Sequence, residues 1–311
     1  PTSGPVEGST TVLVAFSSEG ATSDIAFYCG FGGLLTIGVR VSNRYISCPS
    51  AAHPSVGPAM VSISTNGQQF SNVKEFVYFA APVISAISPT SGPLLGDTFL
   101  NVSGVHLING SDYRCRLGAE PHVTIPATLH AGPPQRTACT APAMPFDTGA
   151  VPLEVSLNAQ QYTDDGHEMQ FYAAPALSAL RPATGPPARG PRLVISGGAL
   201  HDGSHYVCRF EPRDTPTPTD DDDLAGFVGV AGAVQRVPAT HISHEAVVCY
   251  TPSVPIAGGG SEEYSVTLAL NGQQFSAEGL RFAVSPEPVS AHRHHAVADG
   301  TEHWHSPLET A

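Results

Sequence analysis

The chain has 311 residues, 14 Lys and Arg against 27 Asp and Glu, and a net charge of -13. At about 100–200 residues per domain that length makes two or three domains, and 41% hydrophobic residues suffice to build their cores. The acidity excludes nucleic-acid binding in the absence of a segregated basic face, no window approaches the roughly 20 apolar residues of a membrane span, and 31 glycines with 29 prolines exclude long helices. A first residue that is Pro1 reads as a processed mature protein or an excerpt of a longer one.

In chain order, the first element is a turn, Pro1-Thr2-Ser3-Gly4-Pro5, followed by a strand with Val12 and Val14 facing inward. Alternating Met60-Val61-Ser62-Ile63-Ser64 and Phe76-Val77-Tyr78-Phe79 then flank Asn66-Gly67-Gln68-Gln69-Phe70-Ser71, and alternation on both sides of Asn-Gly predicts a hairpin. The series restarts at Pro89-Thr90-Ser91-Gly92-Pro93, with Leu100 and Val102 inward and Asn158-Ala159-Gln160-Gln161-Tyr162-Thr163 as the second marker. It restarts again, degraded, at Pro182-Ala183-Thr184-Gly185-Pro186, with Leu193 and Ile195 inward and Asn271-Gly272-Gln273-Gln274-Phe275-Ser276 closing it. Two markers in one order three times make a tandem repeat. Short strands with turn residues between them make each repeat a β-sandwich, with no helix.

The six cysteines fall two per repeat, Cys29 with Cys48, Cys115 with Cys139 and Cys208 with Cys249. Six cysteines allow 15 connectivities, but equivalent pairs in equivalent repeats favour one bridge each. That places the chain in an oxidising, extracellular compartment; free buried thiols in a cytosolic protein are the alternative.

Gly92-Pro93, Cys115-Arg116-Leu117-Gly118, Cys139-Thr140-Ala141-Pro142 and Asn158 to Tyr162 together resemble the IPT/TIG family, the immunoglobulin-like domains of plexins, related receptors and some transcription factors. Cys29-Gly30-Phe31-Gly32 and Cys48-Pro49 repeat the pattern, as do Cys208-Arg209-Phe210 and Cys249-Tyr250-Thr251-Pro252, where Glu211 replaces the usual Gly. The resemblance spans about residues 1–285. It implies an all-β fold, three tandem immunoglobulin-like sandwiches in an elongated rod: 1–81 lacking its first strand, 82–174, 175–285 with a loop insertion, and a His-rich tail over 286–311. It is specific for fold and weak for function, since the same module serves receptors, enzyme accessories and DNA-binding proteins.

No nucleophile motif or phosphate loop is present, so no enzyme and no cofactor is expected. Asn101-Val102-Ser103 and Asn109-Gly110-Ser111 are N-glycosylation sequons; alternation turns Asn101 outward and Asn109 lies in a turn. The insertion Pro212 to Asp223 carries Thr215, Thr217 and Thr219 between prolines, as O-glycosylated stalks do. Its four aspartates are solvated charge or, alternatively, a calcium ligand set. In the tail, His292, His294, His295, His303 and His305 stand near Asp299, Glu302 and Trp304, a polar segment or a transition-metal site.

The second and third repeats open with apolar strands, Pro82 to Ile87 and Pro175 to Leu180, which the first lacks. Pro288-Val289-Ser290-Ala291 resembles that strand and has no sandwich of its own to join. The leading expectation is therefore a glycosylated extracellular fibril subunit, its partners copies of itself joined head to tail by strand donation. A segment of a receptor or adhesin ectodomain binding a protein or glycan is the alternative.

Overall fold

The computed structural model describes residues 1–16, 26–71, 74–145, 147–187, 190–213, 234–253 and 262–285. Those residues form strands and connecting loops with no helix, as a chain so rich in Gly, Pro and β-branched residues should. They build three successive cores, each between two layers of strands.

The middle sandwich shows the plan. One layer orders the strands Thr128–His130, Arg136–Ala141, Thr98–Val105 and Val83–Ser88; the other orders Val123–Pro126, Arg114–Leu117, Gly149–Ser156, Glu168–Tyr172 and Ser91–Pro93. The opening strand Val83–Ser88 pairs antiparallel with Thr98–Val105, and the chain then crosses to the opposite layer, where Ser91–Pro93 runs parallel to Glu168–Tyr172. Leu100 pairs with Cys139 across one layer while Cys115 pairs with Val155 in the other. The bridge Cys115–Cys139 therefore staples layer to layer, with Cα atoms 6.6 Å apart. Cys208–Cys249 and Cys29–Cys48 do the same at 6.5 and 5.9 Å.

In the third sandwich, Ala176–Arg181 opens the fold against Arg192–Gly198, and the long strand Gln235–Ser243 bends from one layer into the other. The first sandwich bends likewise at Leu34–Arg40. Its strand Thr11–Ala15 pairs only with Tyr45–Pro49 and forms the edge of the sheet. Where the other sandwiches bury Ile84 and Ile87 or Leu180, this one has an open groove of about 810 Å³ lined by Val12, Val14, Phe16, Phe27, Val61 and Phe76. Val14, expected inward, is only half buried for that reason.

The cores interlock along the chain. Phe79 ends the last strand of the first sandwich yet packs in the core of the second with Ile84 and Leu100; Tyr172 ends the second and packs in the third. Among the described residues no helix is long and apolar enough to cross a membrane.

Candidate functional sites: the joints between sandwiches and an apolar outer face

The Asn-x-Gln-Gln markers do lie between antiparallel partner strands, but they are not tight two-residue turns. Each opens a longer loop organised by the Asn side chain. Asn158 Oδ1 accepts the amides of Gln160 and Gln161 at 3.1 and 3.2 Å, and Asn158 Nδ2 donates to Gln161 Oε1 at 2.6 Å. Asn271 builds the same frame with Gln273 and Gln274.

That frame aims polar groups at the preceding sandwich. Gln160 Nε2 donates to Thr11 O at 2.9 Å and its Oε1 accepts Thr11 N–H at 2.8 Å, a side-chain amide pairing with a backbone peptide as a neighbouring strand would. Thr10 Oγ1 donates to Gln161 Oε1 at 3.1 Å, and Asn158 Nδ2 reaches Ser3 O and Thr10 Oγ1 at 3.3 Å. Ser111 meets Ser3 through their hydroxyls at 2.9 Å. The next joint repeats all of this with Gln273 on Phe99, Gln274 on Thr98, Asn271 on Ser91 and Thr98, and Ser204 on Ser91.

The glycine of Ser-Gly-Pro belongs to this joint. A Cβ on Gly4 or Gly92 would collide with the hydroxyl of Thr10 or Thr98, so only Gly lets that threonine turn toward the next sandwich. The aromatic after the Gln pair is clamped as well, with the Arg116 guanidinium 4.0 Å over the Tyr162 ring and Arg209 4.4 Å over Phe275. Each arginine is further held on its own face, Arg116 by Glu154 and Arg209 by Thr267.

The first sandwich also presents an apolar outer face. Leu35, Ile37, Val39 and Val41 alternate along the strand Leu34–Arg40 and its extension, 54, 68, 64 and 55% exposed. Leu13, Tyr45 and Phe70 extend the surface. Phe70 lies over Gly30, where the other sandwiches have Arg116 and Arg209. In the second sandwich the corresponding strands expose Thr124, Pro126, Thr128 and His130, and in the third Arg236, Pro238 and Thr240, with Ile242 the one exposed aliphatic residue on that strand. The fold thus has no need of a continuous apolar row there.

Of the expected modification sites, Asn109 is exposed at a φ of 68°, while its sequon partner Ser111 is engaged in the first joint. Asn101 is half buried rather than turned freely to solvent, in a cleft with Ser204, His205, Asn271 and Gln273 beside the second joint. Thr215, Thr217, Thr219, the aspartate run, the donor segment Pro288–Ala291 and the tail histidines lie outside the described residues. Among the described residues no three His, Cys, Asp or Glu side chains cluster to hold a metal. The joints themselves were legible only as repeated markers: a doubled Gln kept three times exceeds what a turn requires, and that was the signal for a contact.

The IPT/TIG domain family model matches residues 82–168. Plexin-A3 of Rattus norvegicus is 30% identical over 235 residues, 68% of this chain and 11% of the relative; Plexin-A4 of Homo sapiens is 28% identical over 146 residues, 46% and 7%. The chain thus spans about a tenth of the length of these relatives. Among solved structures, the full extracellular region of Plexin A4 matches with a TM-score of 0.50 and 17% identity, over 93% of this chain and 24% of that one. With the three disulfides, these matches place the chain on the extracellular side or at the cell surface.

Proposed function

Since residues 82–168 are an IPT/TIG domain, we propose that the chain is a segment of a cell-surface receptor or adhesin ectodomain, without catalytic activity of its own. In it, hydrogen-bonded sandwiches act as an oriented spacer, and the outer face of the first sandwich takes a protein partner. The observation that carries this reading is the unbroken row Leu35, Ile37, Val39 and Val41, exposed on a strand whose counterpart in the second sandwich exposes Thr124, Pro126, Thr128 and His130 and in the third a single aliphatic side chain, Ile242. Contiguous apolar surface of this kind marks interaction sites. No observation favours fibril assembly: the offered donor strand lies outside the described residues, and the relatives matched are plexins.

The test is proximity labelling on the surface of cells carrying the intact protein, compared with an Ile37→Glu, Val39→Glu double variant. Both positions face solvent, so circular dichroism and the melting midpoint should not change. A labelled surface neighbour lost in the double variant supports the reading. Identical labelling by the two proteins, or no arrival at the cell surface, overturns it.

A further inference from the structure

Asn101-Val102-Ser103 is a sequon that the fold sets at a cleft between two sandwiches. Burial alternates along Thr98–Val105: Leu100 and Val102 lie in the core, while Phe99, Asn101 and Ser103 share the outer face. On that face Asn101 stands between Ser88 and Ala138 of the flanking strands, two small side chains that leave room above its amide. The cleft holds about 400 Å³, with Ser88 and Thr90 on one side and Ser204, His205 and Gln273 of the third sandwich on the other. That is the low end of the roughly 300–1,000 Å³ of ligand pockets, a size for one sugar ring rather than a chain of them.

Its polar groups are uncommitted. The Asn101 amide, the Thr90 hydroxyl and the His205 ring have no hydrogen-bond partner among the described residues. Phe99 precedes Asn101 by two residues on the same face, about 7 Å along the strand, and its ring is 46% exposed. Such a ring offers a flat apolar surface to the C–H face of a sugar. The first joint has none of these groups. There Gln160 grips Thr11 where Gln273 grips Phe99, so Leu13 falls in the place of Asn101. Asp112 bridges to Asn158 as His205 does to Asn271, and Arg114 already holds it at 2.7 Å. Phe99, Asn101 and His205 come together at the second joint alone.

We propose that Asn101 carries an N-linked glycan whose first N-acetylglucosamine seats in this cleft and ties the second sandwich to the third. Thr90 from one sandwich and His205 from the other then become partners of a single sugar, and the later sugars extend into solvent. The donor is a lipid-pyrophosphate oligosaccharide. C1 of the sugar bonds to Asn101 Nδ2 as its C1–O bond to the pyrophosphate breaks; the pyrophosphate leaves with the electron pair, and one amide proton passes to solvent. Transfer precedes folding, because Val102 is fully buried and Ser103 is paired in the sheet once the strand has formed. The inference rests on the extracellular placement of the chain and not on the partner of the first sandwich.

The test is the full chain secreted from eukaryotic cells beside its Ser103→Ala variant, which abolishes the sequon and leaves Asn101 in place. Glycopeptide mass spectrometry should find Asn101 occupied. After endoglycosidase trimming to one N-acetylglucosamine, hydrogen exchange of the peptide containing Asn271 to Gln274 should be about fivefold slower than in Ser103→Ala, one hydrogen bond's worth. His205→Ala should speed that exchange more in the glycosylated chain than in the Ser103→Ala background. A further measurement needs no variant: a glycopeptide amidase should release the Asn101 glycan far more slowly from the native chain than from the denatured one. An unoccupied Asn101, exchange equal to that of Ser103→Ala, equal effects of His205→Ala in the two backgrounds, or equal release from native and denatured chain overturns the proposal.

Discussion

Gln160 faces the Thr11 peptide as an added strand would, its Oε1 accepting the N–H at 2.8 Å and its Nε2 donating to the C=O at 2.9 Å. Gln273 repeats this on Phe99 at the same two distances. A side chain that satisfies both backbone groups of one residue fixes register as well as distance, since a slip of one residue would present the opposite face of the strand. The angle between sandwiches is thereby set by sequence.

Gln160→Ala should therefore loosen the first joint without unfolding either sandwich. Two partly exposed hydrogen bonds contribute about 1–2 kcal/mol together. Small-angle scattering should show a broader distribution of interdomain distances, and denaturation a small shift confined to the first sandwich. Gln160→Glu should be worse than Ala. Its carboxylate can still accept from Thr11 N–H but stands against Thr11 C=O with no proton to offer. If the glutamate variant scatters like the wild type, the amide pairing does not hold the joint.

The contrast between two buried tyrosines gives a second expectation. Tyr78 donates its hydroxyl to Ala51 O at 2.8 Å, and burial pushes its pKa up to about 12. The hydroxyl of Tyr172 is buried without a partner among the described residues, and burial raises its pKa as well. Tyr78→Phe should cost about 1 kcal/mol at neutral pH, while Tyr172→Phe should be neutral or stabilising by up to about 1 kcal/mol, since it removes an unpaired buried polar atom. Both rings are neutral in the folded state at pH values where an unfolded tyrosine ionises. The stability they contribute is full below pH 10 and falls as pH rises from 10 toward 12. Urea midpoints measured across that range should decline for the wild type and less steeply for Tyr78→Phe. An equal decline would remove Tyr78 from the account.

The repeat, the strands and the cysteine pairs were legible because they follow local rules: alternation, turn residues and equal spacing. The joints were not, because a loop's polar side chains reveal their direction only once two sandwiches are in register. The outer face of the first sandwich was hidden for a different reason. Along Leu34 to Val41, alternation alone would send Leu35, Ile37 and Val39 to the core. Gly38 decides otherwise: a Cβ there would lie 2.6 Å from Cys29 Sγ and 2.8 Å from Ile46. The disulfide occupies the inner side at that point, only Gly fits against it, and the apolar residues on either side are turned out.

That same crowding makes the first bridge the one whose loss should matter most. By loop closure alone the order runs the other way, from about 3 kcal/mol for Cys29–Cys48 to about 4 kcal/mol for Cys208–Cys249, whose separations are 19 and 41 residues. The difference is small beside the margins of the cores. The first core has 10 buried residues among those described, against 16 and 15 in the second and third. It has an open groove on one side, and removing both sulfurs would leave a cavity over Gly38 that no side chain fills. Cys29→Ala with Cys48→Ala should therefore unfold the first sandwich at a temperature where Cys208→Ala with Cys249→Ala still leaves the third folded. Limited proteolysis read by mass spectrometry checks this, with cuts between residues 26 and 71 expected first. If the third sandwich is lost first, loop entropy outweighs core size in this chain.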